Sequence, residues 1–132
     1  MGFTGPIVDQ LAIRTLNDNY CDAVFRRDAK DWGDNWATDA RWILMGQEIA
    51  GRDQIVAAWE GAMAGFAFVA FFAQMGALRI DGDCAAGTIY THEVLEGVEG
   101  SITRPVGRYD DIYVRHDGRW LFKQRHYNLL KG

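Results

Sequence analysis

The second half of the chain constrains the fold most, because it reads as four strands in succession. Phe68 to Ile80 is a long apolar run with aromatics on both faces. Asp81-Gly82-Asp83 then marks a turn, and Thr88 to Glu96 alternates apolar and polar residues. Residues 97–104 form a Gly-containing loop, and Pro105 suits the start of a strand better than its interior. Val106 to Arg115 alternates, Asp117-Gly118 is a hairpin signal, and Trp120 to Tyr127 returns along it. Consecutive strands usually pair as antiparallel neighbours. A twisted sheet of this kind curls and needs a partner for its concave face.

The first half supplies that partner. In residues 7–28, Val8, Ala12, Leu16, Tyr20, Ala23 and Val24 fall three or four apart, the spacing of one helix face. Thr4 is a candidate cap, and Pro6 suits the first turn. Asp28 to Asp31 breaks the pattern and opens a short second helix, with Trp32 and Trp36 on one side. Residues 40–46 read as a strand closed by Gly46. Gly51-Arg52-Asp53 opens a third helix, in which Ile55, Trp59, Met63 and Phe66 repeat at helical spacing. The expected fold is therefore α+β, with a curved, mixed, largely antiparallel sheet wrapped around a long N-terminal helix. It forms a cone with a plugged narrow end, in a single domain spanning residues 1–132.

The 132 residues fit one domain. Five Trp, five Tyr and seven Phe give more apolar surface than a small core needs, and the surplus can line a pocket or an interface. The net charge of −4 argues against nucleic acid, which calls for a basic stripe. The one basic cluster, Lys123, Arg125 and His126, reads as a solvated strand end. Cys21 and Cys84 match no metal spacing, and the three His form no ligand motif, so no metal is expected. No phosphate loop and no flavin or haem motif occurs, so no cofactor is expected either. Met1 to Pro6 does not read as a signal peptide, and no apolar run reaches the ~20 residues of a membrane span. The expectation is a cytoplasmic protein with two reduced thiols, without nucleic-acid or membrane partners.

The ordered set Leu11, Leu16, Tyr20, Arg27-Asp28, Trp32, Trp36-Ala37, Asp39-Ala40, Gly51, Ile55, Ile80-Asp81-Gly82-Asp83, Gly107-Arg108-Tyr109-Asp110-Asp111 and Asp117-Gly118-Arg119-Trp120 resembles the SnoaL-like branch of the NTF2-like superfamily. The resemblance covers nearly the whole chain. Its individual pieces are turn chemistry; their order is what is specific. It implies a cofactor-independent fold whose catalytic members remove a proton beside a carbonyl or leaving group in a dry pocket. A His or Asp serves as base, and Tyr or Asp donors hold the oxyanion. Other members bind ligands or serve as subunits of larger enzymes, and the fold alone does not choose.

In dehydratase and dehydrochlorinase members an Asp late in the first helix orients a His on the following long strand. Those positions fall here on Phe25 and on Phe72, or on Ala73 with a one-residue shift. The resemblance thus implies that the usual His–Asp pair is missing, and two Phe would make that end of the pocket more apolar. Tyr20 matches a Tyr of bile-acid dehydratases, so it is either a ligand donor or a core phenol bonded to the backbone.

His92 is the candidate base, on a strand where Tyr90, His92 and Val94 share one face. A structural histidine is the competing reading. On the next strand Tyr109, Asp111 and Tyr113 share a face. There Asp111 either orients His92, or points to a helix terminus or to Arg125 as a buried ion pair. Asp22 falls on the solvated side of its helix, and His116 and His126 read as surface groups.

Two functional readings follow. In the first, the protein is a proton-transfer enzyme of the dehydratase, isomerase or cyclase type. His92, Asp111, Tyr20 and Tyr109 are its catalytic groups. Its small hydrophobic oxygenated substrate lies among Val24, Phe25, Trp42, Leu44, Trp59, Met63, Phe66, Phe72, Tyr90 and Phe122. In the second, it is a non-catalytic ligand binder or an accessory subunit. A homodimer is expected through the outer sheet face, where Ile112, Val114 and Leu121 offer apolar positions.

Overall fold

The computed structural model describes residues 2–132. The elements run β1 (Phe3–Thr4), α1 (Ile7–Arg26), α2 (Ala29–Gly33), β2 (Trp36–Leu44), β3 (Gln47–Ala50), α3 (Arg52–Met63), β4 (Phe66–Asp81), β5 (Cys84–Gly97), β6 (Ile102–Thr103), β7 (Val106–His116) and β8 (Arg119–Lys131). Among the described residues all strands belong to one sheet, ordered β1-β4-β5-β7-β8-β2-β3, with β6 beside β5. The β4–β5, β5–β7 and β7–β8 pairs are antiparallel. β2 lies parallel to β8, and β1 parallel to β4, which makes the sheet mixed. The architecture is the expected α+β one, with α1 packed across the sheet. No helix among the described residues is long and apolar enough to cross a membrane.

α1 buries Ile13, Leu16, Asn17, Tyr20, Ala23 and Val24. Val8, expected on this face, is 79% exposed, because the buried stripe runs through Ile13 and, one turn earlier, Asp9, which accepts from Arg115 and Trp120, and leaves Val8 to the side. Thr4 does not cap the helix; it belongs to β1, and Pro6 stands at the N-cap without a side-chain bond. The helix ends at Arg27, whose left-handed backbone lets the amides of Arg27 and Asp28 close on Val24 and Ala23 carbonyls. The Arg27 guanidinium then donates to the carbonyls of Met63 and Phe66, tying this end to the α3–β4 link.

α2 is shorter than the two-tryptophan spacing predicts. Asp28 caps it by accepting from the Asp31 amide, and Asn35 closes it by donating to the carbonyls of Asp31 and Trp32. The Asn35 carbonyl accepts from the Phe122 amide, so Trp36 opens β2 instead of continuing the helix. Trp32 and Trp36 still meet, at 5.6 Å between ring centroids, and Trp32 stacks on Trp59 at 4.5 Å. Phe66 likewise leaves the predicted helix and starts β4. A second hairpin, β2–β3, turns on Met45 and Gly46, both with positive φ. Met is an unusual residue there, so the sequence carries little turn signal.

Within β4 the register against β5 shifts between Met75 and Ala77. Gly76 at this bulge leaves room for the Tyr90 ring, which would have to shift from a Cβ lying 2.7 Å away. Before it Val69, Phe71 and Met75 are buried; after it Leu78 is.

An ion pair sits at the centre of the core. Arg125 is fully buried, not the solvated strand end read from its basic neighbours, because β8 turns it inward. It donates to Asp111 from Nε at 2.8 Å and from Nη2 at 3.1 Å, and Tyr113 donates to the same carboxylate at 2.9 Å. Its guanidinium lies 3.8 Å from the Tyr109 ring centroid, 4.1 Å from that of Phe122 and 4.6 Å from that of Tyr20. Burial opposes the charge on Arg125, but Asp111 and the neighbouring phenols outweigh it, and the pKa is raised.

Asp111→Ala leaves Arg125 charged and unpaired in the core. The expected loss of stability is about 3–5 kcal/mol by urea denaturation. Asp110→Ala, which breaks the partly exposed pair with Arg108, is expected to cost under about 1 kcal/mol.

Candidate functional site

Between the concave sheet face, α1 and α3 lies a cavity of about 410 Å³. That is within the range of small-molecule sites. Val24 and Tyr20 come from α1, Trp42 and Leu44 from β2, Trp59 and Met63 from α3, and Val69 and Phe71 from β4. The far wall carries Glu93 and Leu95 of β5, Thr103 of β6, Pro105, Tyr109 of β7, and Tyr127 and Leu129 of β8. The hollow beside Gly2 and Thr4, about 280 Å³, offers mostly backbone and small side chains of β4 and β5 and lacks this chemistry.

Among the described residues, Glu93 is the only one with an acidic or basic side chain on the cavity wall. Among the described residues no side chain donates to its carboxyl. Burial without a counter-charge pushes its pKa up to about 7. Three phenols share the wall with it. Burial pushes Tyr20 up to about 12 and holds Tyr109 well above the ordinary phenol value; Tyr127 is raised for the same reason. All three keep their protons where Glu93 changes charge. Trp42 Nε1 donates to Tyr109 Oη at 3.1 Å. Indole N–H can only donate, so this bond occupies an acceptor site on Tyr109 and does not use its hydroxyl proton, for which the neighbouring Tyr20 phenol is an acceptor.

Tyr127 reaches the wall because Gly107 has no side chain. A Cβ there would lie 2.3 Å from the Tyr127 ring. The Tyr127 and Tyr109 rings meet edge-on at 5.2 Å.

The residues expected at the site divide into two groups. Tyr20, Tyr109, Val24, Trp42, Leu44, Trp59, Met63 and Phe66 line the cavity. His92 does not: β5 turns Ile89, Thr91, Glu93 and Leu95 inward, so His92 and Tyr90 stand exposed on the outer face. Asp111 cannot orient His92, since its carboxylate is committed to Arg125 and Tyr113. Phe72 is also on the outer face, 56% exposed. It meets Phe25 edge-on at 5.4 Å outside the cavity, so neither makes the pocket more apolar. Phe122 is fully buried in the core beneath. Leu121 is buried too and offers nothing to an outer interface, whereas Ile112 is exposed. Glu93 and Tyr127 were missed. The signal for Glu93 was present, since it shares the period-2 face of Ile89 and Thr91, but a charged residue argues against an inward face.

Cys21 and Cys84 are free thiols. Among the described residues no three His, Cys, Asp or Glu side chains are grouped to hold a metal.

A model of the SnoaL-like domain matches residues 6–126. No curated protein sequence matches the chain significantly. Among solved structures, one from Novosphingobium aromaticivorans described as an aromatic ring hydroxylase is 24% identical, with a TM-score of 0.90 over 98% of this chain and 94% of that one. One from the same organism described as a scytalone dehydratase is 17% identical, with a TM-score of 0.85 over 95% and 86%. A hexachlorocyclohexane dehydrochlorinase is 18% identical, with a TM-score of 0.84 over 95% and 87%. At these identities the likeness is one of fold.

Glu93 makes stability depend on pH in a definite direction. Its carboxyl titrates near 4.5 in an unfolded chain and near 7 in the folded one. Between those values the folded state binds the extra proton. Its contribution to stability is therefore fully present below about 4.5 and is lost as pH rises through about 7. The loss is roughly 3 kcal/mol. Glu93→Gln is expected to remove this part of the slope and to be more stable than the parent at pH 8, as measured by denaturation at pH 5 and pH 8.

Proposed function

The chain belongs to the SnoaL-like domain family, and from that premise we propose that it is a cofactor-independent proton-transfer enzyme of the dehydratase, isomerase or cyclase type. Its substrate is a small hydrophobic oxygenated molecule, and its base is Glu93. The observation that carries this reading is the Glu93 carboxyl, the one ionisable carboxyl side chain among the described residues of a wall built of apolar side chains, phenols and the Thr103 hydroxyl. A carboxyl poised near neutral pH is half ionised there and serves as base or acid without a partner. The ordinary His–Asp pair is absent from this wall: among the described residues no His and no Asp lines the cavity, and α1 and β4 face it with Tyr20, Val24, Phe66, Val69 and Phe71.

The ionised carboxyl takes a proton from a carbon beside the substrate carbonyl. The C–H electron pair moves into the adjoining carbon–carbon bond, and charge collects on the carbonyl oxygen. Tyr109, held in place by Trp42, turns its hydroxyl from the Tyr20 phenol to donate a hydrogen bond to that oxygen. The protonated Glu93 then returns the proton to another carbon in an isomerisation, or to a departing hydroxyl in a dehydration. Tyr20 and Tyr127 are further donors on the same wall.

A second reading rests on the same missing pair: a non-catalytic binder of hydrophobic ligands, or an accessory subunit. A homodimer through the outer sheet face, where Phe68, Phe72, Tyr90 and Ile112 are exposed, is compatible with either.

The test is a mass-spectrometric screen in D₂O against β-hydroxy ketones, unsaturated ketones and dihydroaromatic alcohols. The parent is expected to lose water or take up deuterium, with a rate that rises with pH about a midpoint near 7. Glu93→Gln is expected to lose about 10²–10⁴-fold, and Tyr109→Phe about 10²-fold. His92→Ala, altered on the outer face, keeps its rate. Binding without exchange in every variant would establish the second reading instead.

A further inference from the structure

We infer that the same cavity is a receptor for hydrophobic organic cations, a protonated amine on an aromatic or aliphatic frame, with Glu93 as the counter-ion. The inference rests on the placement of Glu93 that the proposed function also uses, but it requires no turnover. Three observations carry it.

Glu93 faces a largely apolar, open-mouthed cavity with no cationic side chain among the described residues that line it, and a carboxylate largely withdrawn from water without a partner is costly. A neutral ligand leaves that cost in place, and an organic acid adds a second negative charge. A protonated amine supplies both the missing charge and the N–H donors.

The wall around Glu93 carries the rings of Tyr20, Trp42, Trp59, Phe66, Phe71 and Tyr109, with Tyr127 at β8. The faces of such rings attract cations, and cages of this kind hold ammonium groups. The protein already uses two of them in this way, since Arg125 packs against the Tyr109 and Tyr20 rings at 3.8 and 4.6 Å.

Arg125 does not satisfy Glu93. It is fully buried outside the cavity lining, and its charge is matched by Asp111 at 2.8 Å. The pair is neutral as a unit, so it neither neutralises Glu93 nor strongly repels a cation in the cavity. The other groups facing Glu93 are the phenols of Tyr20 on α1, Tyr109 on β7 and Tyr127 on β8, which stay protonated through the neutral range. His92 and His126 lie exposed on the outer face of the sheet.

Isothermal titration of the full chain with 1-naphthylmethylamine and with the neutral 1-naphthylmethanol tests the inference. At pH 8 the amine is expected to bind at least about tenfold tighter than the alcohol. Between pH 8 and pH 6 the amine should weaken about tenfold as Glu93 takes up a proton, while the alcohol stays constant. Glu93→Gln should abolish both effects while still binding the alcohol, which shows that the cavity of the variant is intact. Equal binding of amine and alcohol by the parent, a preference for the amine that survives Glu93→Gln, or no amine binding at millimolar concentration overturns it. Cation selectivity without deuterium exchange would sink the enzymatic reading alone, and exchange without cation selectivity would sink this one alone.

Discussion

The rest of the structure depends on the buried pairing of Arg125 with Asp111. A guanidinium and a carboxylate removed from water cost several kcal/mol each, and the interior tolerates them only when geometry and hydrogen bonds are both good. Here the contact is two-pronged, Tyr113 satisfies the carboxylate further, and three aromatic rings enclose the cation. The pair joins the two adjacent strands β7 and β8, and the Tyr20 ring brings α1 onto it. It also sets the position of Tyr20 and Tyr109, two of the three phenols that look into the cavity. The same arrangement therefore holds the helix on the sheet and presents hydroxyl groups to a ligand.

The architecture was legible because its signals are local. The Asp81-Gly82 and Asp117-Gly118 turns lie where the hairpins turn; the alternating runs between them became β5 and β7, and the run after the second became β8. What was not legible depends on tertiary partners. Trp36 has the spacing of a helical neighbour of Trp32, but its partner is Phe122 on β8, and the pairing of the strands prevails over the local period. The Met45-Gly46 turn has a residue in a left-handed backbone that composition does not announce.

The site was half legible for a reason of phase. Along a strand one step exchanges the inner and outer faces. On β5 both faces mix polar and apolar residues, so Tyr90, His92 and Val94 read as well inward as Ile89, Thr91 and Glu93. The preference for histidine as a base decided the reading, and the structure turns that set outward. Helical positions such as Tyr20 and Val24, with a broad apolar stripe to fix them, were placed correctly. Arg125 shows the same weakness: flanked by Lys123 and His126, it looks like part of a charged surface, yet alternation alone puts it on the opposite side from His126.

The parallel pairing of β2 with β8 has a consequence for how the molecule assembles. Trp36 must find Phe122, across most of the chain, before the sheet is joined. The hairpins of the second half and the helices of the first can form from nearby residues, but the join between them is a late, long-range closure of the kind that slows folding. Arg125 and Tyr127 lie on that last strand. During synthesis Asp111 and the tryptophans of the core emerge before the cation and the ring that complete their surroundings. The nascent chain therefore carries an unfinished polar centre and an exposed strand edge until β8 docks.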